Sequence, residues 1–321
     1  MKKKIKMTGH GATDNLLRQE EKIIRNMNKN KFETRQRYIH AEKRFIEFTA
    51  KDCKLQKLTN IKDKHLEKYV TYLKDEKDAS DKYIKTELSG IRFFHNHTPG
   101  ANNRLEDSTM FNRRVGLGST PDNKNIDRAW TEREVEEMKE KASNLNRKEI
   151  STIIEVVRST GCRIDEAVTL RDSDLRKALK ENNLHLSNTK GGVPRDVPLT
   201  DRAKKIFEEV LEETKRGGYA LTPQRYVEEH KIHSFKKSVQ NFIYNHREEI
   251  QDEDRSDSAH NVEKDSKGSL TCHGLRHSFG REQYFELKNA GFSSDLAKEQ
   301  VSEMLGHHRK EITEVYLGGL E

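Results

Sequence analysis

The chain has 321 residues, 32% of them hydrophobic and 36% charged, with a formal net charge of +7 and a pI near 9.0. That length suits about two domains with cores of their own, the basic balance points to a polyanionic partner, and no apolar run approaches the roughly 18 residues of a membrane span. Three widely spaced cysteines, Cys53, Cys162 and Cys272, form no CxxC pair and predict reduced thiols in a cytoplasmic protein, and the basic start lacks the apolar segment of a signal peptide.

Charge is uneven along the chain. Residues 1–128 hold 29 Lys and Arg against 18 Asp and Glu, whereas the remainder holds 32 against 36. The front half is therefore the candidate phosphate-tracking surface; the plainer alternative is that its lysines solubilise helices. Tyr38, Phe45 and Phe48, then Leu66, Tyr69, Val70 and Leu73, then Ile84, Leu88, Ile91 and Phe94 recur near a period of 3.6 and predict a basic bundle of about four helices over residues 1–100. Their aromatics read as packing rather than as base-stacking platforms. Residues 101–125 are rich in turn formers and predict a linker, so that residues 126–321 form a second domain. Two such domains fit either a clamp around a duplex or a simple tandem arrangement.

The second domain opens with Thr131 and Glu134 at capping-box spacing, predicting a helix toward Ser143, and another helix stops at Gly161. There the run T-G-C-R-I-D-E-A-V-T-L begins, and a new helix start at Arg163 sets a long cation beside backbone N–H groups that favour an anion. The plainer reading pairs Arg163 with Asp165 or Glu166 on the surface. Alternation on both sides of Lys190-Gly-Gly predicts a β-hairpin with Lys190 on its tip. Helices return over Asp201 to Arg216 and Ser234 to Glu249, Gly217 to Lys231 is ambiguous, and residues 251–268 are a polar, acidic, exposed loop. Three helices close the chain: one from Cys272, one from Ser293 or Ser294 to Gly306, and a short one carrying Tyr316. The fold class is mainly α with a small β-sheet.

Together, T-G-C-R-I-D-E-A-x-x-L, the hairpin lysine, H-G-L-R-H-S, L-G-H and a tyrosine nine positions after that histidine resemble the catalytic domain of the tyrosine recombinases, or phage-type integrases, and the helical front domain is similar to their core-binding domain. The resemblance implies Tyr316 as nucleophile, Arg163 and Arg276 as an arginine pair, Lys190 as the hairpin lysine, and His273 and His307 as the site histidines; beside them Glu166 reads as the buried or half-buried partner that orients Arg163, and His277 as a structural histidine rather than a catalyst. It further implies double-stranded DNA as substrate, a homotetramer on two duplexes, an accessory directionality factor as a further partner, a cytoplasmic, nucleoid-associated location, and integration or excision of a mobile element. A strand-swivelling topoisomerase of type IB character and a non-catalytic DNA-binding regulator of the same fold are the alternatives. One departure is that only Leu317-Gly-Gly-Leu-Glu follows Tyr316, so subunit contacts other than an exchanged tail, or a weaker assembly off DNA, are expected.

The chemistry suits these residue types independently of the family. A tyrosine oxygen forms a phosphoester that a sugar hydroxyl later attacks, which conserves the energy of the broken bond. Two guanidiniums match the non-bridging oxygens and keep their protons, a lysine donates a proton to the leaving oxygen, and the scheme requires no metal and no cofactor. A zinc site built on His273 and His277 with Cys272, His307 and His308 is the competing assignment, but it lacks an acidic residue and leaves the arginines and Lys190 without a role.

Overall fold

A computed structural model describes residues 8–26, 32–101, 103–118, 127–187, 189, 192–228, 230–252, 270–307 and 309–318. The chain divides into two compact units, Met1–Pro121 and Asp122–Glu321, each with its own apolar core. No helix among the described residues is long and apolar enough to cross a membrane.

The first unit contains α1 (Gly11–Asn26), α2 (Phe32–Asp52), α3 (Asp63–Asp75), α4 (Asp81–Asn96) and α5 (Ser108–Arg114), with a 3-10 turn at Leu58–Asn60. The three apolar stripes converge: Phe45, Leu66, Tyr69, Ile84, Ile91 and Phe94 are buried in one cluster, and the Phe45 and Tyr69 rings meet edge-on at 5.3 Å. These aromatics are core. A buried acid among them is fully engaged, since the Arg44 guanidinium donates to both oxygens of Glu87 at 2.8 and 2.6 Å and the Tyr69 hydroxyl donates at 3.2 Å.

Helix α5 falls inside the stretch expected to be linker. Asp107 caps it by accepting the Thr109 N–H at 2.8 Å, and Phe111 is buried beneath the guanidiniums of Arg92 and Arg114. One buried aromatic in seven residues leaves no periodicity to read, which is why turn-rich composition masked the helix. Residues 119–125 of the expected linker lie outside the described residues.

The second unit begins with α6 (Glu132–Asn144), whose Thr131–Glu134 capping box forms in both directions. It continues through α7 (Lys148–Thr160), the single turn α8 (Ile164–Ala167), α9 (Asp172–Glu181), the hairpin β1 (Asn183–Leu186) and β2 (Arg195–Pro198), then α10 (Asp201–Glu213), α11 (Gln224–Glu228), α12 (Ile232–Ile250), α13 (Cys272–Asn289), α14 (Ser294–Leu305) and α15 (Lys310–Leu317). The strands pair antiparallel with Leu184 opposite Val197 and Leu186 opposite Arg195. The ambiguous stretch after Gly217 resolves into a bridge from Tyr219 to Arg171 followed by α11. Of the acidic loop, only Gln251 and Asp252 are described, and the Asp252 N–H donates to Glu134 at 3.0 Å.

Helix α13 is the organising element. Leu275 through Gly280 are buried without a break, so this part of the helix is enclosed on all sides rather than amphipathic. Trp130 fastens the start of the unit to it, donating from its indole to the Thr271 carbonyl at 3.0 Å and from its backbone to Ser278 at 2.7 Å.

Candidate active site

Three local devices bring distant residues to one place. Helix α7 ends on Gly161, which adopts φ +60 and ψ 14; there a β-carbon would lie 2.2 Å from the Phe279 ring, so glycine is required both by conformation and by space. The chain leaves that turn into Arg163, at the start of α8. Thr271 caps α13 by accepting the Gly274 N–H at 3.1 Å, which aims His273 and Arg276 from the first turns of the helix. Gly306, at φ +68, ends α14 and delivers His307, and Ser302 closes the following turn by accepting the Arg309 N–H and donating to its carbonyl, both at 2.9 Å.

Tyr316 enters from α15 and is only 3% exposed. It lies against Gly280, where a β-carbon would stand 3.4 Å from its own. Its hydroxyl is 2.8 Å from His307 Nε2 and accepts from Arg276 Nε at 3.3 Å. Arg276, 1% exposed, also donates to the Gly161 carbonyl at 2.5 Å, to the Leu305 carbonyl, and toward the edge of His307. One guanidinium thus joins the α7–α8 turn, the C-terminus of α14 and the tyrosine. Burial lowers the affinity of Arg276 for its proton, while the Tyr316 hydroxyl opposes that shift; arginine nevertheless stays charged in a protein.

Burial, reinforced by the charges of Arg276 and Arg163, pulls His307 down to about 4. It is therefore neutral at pH 7. Because Arg276 presents an N–H toward Nε2, that nitrogen is suited to accept the tyrosine proton. His277 is buried and stacks on the Tyr316 ring at 4.4 Å; burial first, then the charges of His273 and Arg128, hold it well below the ordinary histidine range. Neither of its ring nitrogens has a hydrogen-bond partner among the described residues, so it acts there as a flat apolar surface. His273 is exposed, with its ring centroid 5.9 Å from that of Tyr316.

Arg163 opens onto a cleft of about 390 Å³ together with His273, Arg276, Tyr244 and Arg247. Its side chain is 20% exposed and donates to Glu166 Oε1 at 2.9 Å, while its backbone N–H donates to Oε2 at 2.7 Å. Burial drives the Glu166 carboxyl upward, but hydrogen bonds and charge from Arg195, with Arg163 behind them, hold it down at about 2. Arg195 was not singled out from the sequence. Its signal is the alternation of β2, where Arg195 and Val197 face inward and Asp196 and Pro198 outward: an arginine on a core-facing strand position requires a buried partner. Burial also pushes Cys162 up to about 11 and Cys272 up to about 12, leaving neutral thiols. Among the described residues no group of three or more His, Cys, Asp and Glu converges on a point. Lys190 and His308 lie outside the described residues.

Residues 128–319 match the model of the phage integrase family, and residues 16–103 match the N-terminal SAM-like domain of phage integrases. The chain belongs to the phage integrase family. The tyrosine recombinases of this family carry a catalytic domain that cleaves and rejoins DNA, and the second unit of this chain is such a domain. The fold agrees with solved structures at low identity. The Tn1549 transposon integrase in complex with transposon right end DNA is 17% identical, with 93% of each chain covered and a TM-score of 0.57. A lambda integrase dimer bound to a COC′ core site is 17% identical over 97% of this chain and 77% of the other, with a TM-score of 0.60. The XerH recombinase in a post-cleavage complex with its difH substrate is 18% identical over 88% and 75%, with a TM-score of 0.54. No curated protein sequence matches this tyrosine recombinase.

Proposed function

We propose that this recombinase is site-specific, attacks the scissile phosphorus with the Tyr316 oxygen, and serves the integration or excision of a mobile element. The observation that carries the reading is the convergence of the Tyr316 hydroxyl on neutral His307 and on the Arg276 guanidinium, beside a cleft that Arg163 enters. As the bond from tyrosine oxygen to phosphorus forms, the phenolic proton passes to His307 Nε2 and the bond to the 5′ oxygen breaks. Lys190 is assigned the proton that the leaving oxygen takes up. Arg163 and Arg276 meet the charge on the non-bridging oxygens, and His273 stands at the cleft as a further donor. Resealing reverses the sequence: the 5′ hydroxyl of a second strand attacks the phosphotyrosine, and Tyr316 recovers its proton. Glu166 orients Arg163, and His277 backs the tyrosine ring.

A full exchange needs four strand cleavages, which assigns a homotetramer on two duplexes, with an accessory factor setting direction. The excess of Lys and Arg over Asp and Glu in residues 1–128 supports a phosphate-tracking role for the front unit. The polarity of cleavage tests the chemistry. On a duplex selected from randomised DNA by binding to the protein, nicked beside the cleavage point and labelled on one side or the other, protein should retain the fragment ending in a 3′ phosphate and release a 5′ hydroxyl. Retention of a 5′-phosphate fragment would contradict the proposal.

A further inference from the structure

Glu166 lies within a closed set of donors. Its Oε1 accepts from Arg163 Nη1 and Arg195 Nη1, both at 2.9 Å; its Oε2 accepts from the Arg163 backbone at 2.7 Å and from Arg195 Nη2 at 2.5 Å. Four donors meet the roughly four lone-pair directions a carboxylate offers. The Arg195 and Glu166 side chains are each 2% exposed, so neither reaches the cleft, whereas Arg163 does. Arg195 is also anchored from the other side: its Nε donates to the Met304 carbonyl at 2.9 Å, and its aliphatic stem fills the space where a β-carbon at position 306 would stand 2.8 Å from its Cδ. The strand that ends the hairpin is thereby tied both to the partner of Arg163 and to the turn that delivers His307.

We propose that Arg195 is a positioning residue for strand cleavage, acting through Glu166 to hold the Arg163 guanidinium out in the cleft. With Arg195 in place, Arg163 shares the carboxylate by one side-chain N–H and keeps its other donors for phosphate. Without it, Glu166 loses two charge-assisted hydrogen bonds while buried, and the side-chain cation that still donates to it among the described residues is Arg163. That guanidinium would turn inward to make the bidentate pair and be lost to the substrate. A lysine cannot replace the fork, because it is a point charge on a flexible stem.

The inference rests on the recombinase chemistry proposed above, and the test separates the two. The full-length protein and its Arg195→Lys, Glu166→Gln and Arg195→Met/Glu166→Gln variants are compared on a nicked duplex selected from randomised DNA by the wild-type protein. Both the single-turnover rate of covalent adduct formation across pH and the Kd for the same duplex are measured. Arg195→Lys should form adduct about 10- to 100-fold more slowly, with its Kd within about threefold, because misplacing a positioned group costs rate more than binding. The variant should also stay slow from pH 8 to about pH 5, the range over which wild type is level, because the captured Arg163 itself keeps Glu166 ionised. The double variant should fall no more than about threefold below Glu166→Gln alone, as expected of two residues acting on one target. Should Arg195→Lys or Glu166→Gln fail to fold, the double variant decides, because it carries no unpaired buried charge: it should form adduct at least about tenfold more slowly than wild type with its Kd within about threefold, and a wild-type rate there would overturn the assignment. Arg195→Lys cleaving within about threefold of wild type would overturn the assignment, as would rate losses that multiply in the double variant or are accounted for by Kd. Wild type forming no adduct would instead overturn the recombinase chemistry on which the assignment stands.

Discussion

In the proposed reaction the Tyr316 proton passes to His307. Its ring is held at about 4 by burial and by the neighbouring guanidiniums, against an ordinary value of about 6.5. A histidine lowered in this way favours its neutral form in the folded protein, so acidification from about 6.5 toward about 4 costs stability and finally charges the ring. Above that window Nε2 stays free to take the Tyr316 proton. The rate of adduct formation, measured at saturating DNA, should therefore be level from pH 8 to about pH 5 and fall only below. An inflection near 6.5 that vanishes in His307→Asn would show that the site does not hold the ring neutral. Tyr316, His307, Arg276 and Arg163 were all legible in the sequence, because each belongs to a short motif whose order is informative. Arg195 was not: its partner, Glu166, lies 29 residues earlier, and only the hairpin register turns its side chain toward that carboxylate.

Turns set the geometry among the elements. Gly161 ends α7, gives its carbonyl to Arg276, and leaves no room beside Phe279. Gly161→Ala should lower stability by about 1–3 kcal/mol, from overpacking together with a strained positive φ, and should slow cleavage further by shifting the Arg276 guanidinium. A melt and an adduct assay on the same sample check this; a variant as stable and as fast as wild type would mean that the turn does not hold Arg276. In the first unit the packing of α1 on α2 buries Glu20 and Glu42, and neither oxygen of Glu20 has a hydrogen-bond partner among the described residues. Burial raises Glu20 to about 8, with Lys43 opposing, and burial together with Glu20 pushes Glu42 well above the carboxylate range. The folded state thus holds protons that the unfolded chain releases near 4.5, and stability is lost as pH rises from there to about 8. Correcting for intrinsic exchange, amide protection across α1 and α2 should be at least about tenfold higher in Glu20→Gln than in wild type at pH 8.5, and equal at pH 4.5. Equal protection at both values would show that Glu20 is not held protonated. Nothing in the sequence marked these acids, because a glutamate on a helix reads as solvent-facing until its neighbours are known.

In the whole molecule composition and motifs separate. Residues 1–128 carry the cationic excess and the described helices of the first unit share one core, while the family motifs all fall in the second unit, around helix α13. The apolar periods of the front helices and the Gly-Gly hairpin predicted those elements because local pattern and tertiary burial agree there. Helix α5 escaped because its single core residue, Phe111, carries no period, and α11 because none of its five residues is buried. The convergence of α13 and the turn after α14 on the hydroxyl that α15 carries, beside a cleft that Arg163 enters, is a tertiary fact that the motifs could announce but not place. In the proposed reaction Tyr316 becomes the point of covalent attachment to DNA. Mass spectrometry of the proteolysed adduct tests this: the nucleotide mass should fall on the peptide containing Tyr316, and Tyr316→Phe, whose ring keeps its packing, should give no adduct. A nucleotide mass on any other residue, or an adduct that survives the substitution, would contradict it.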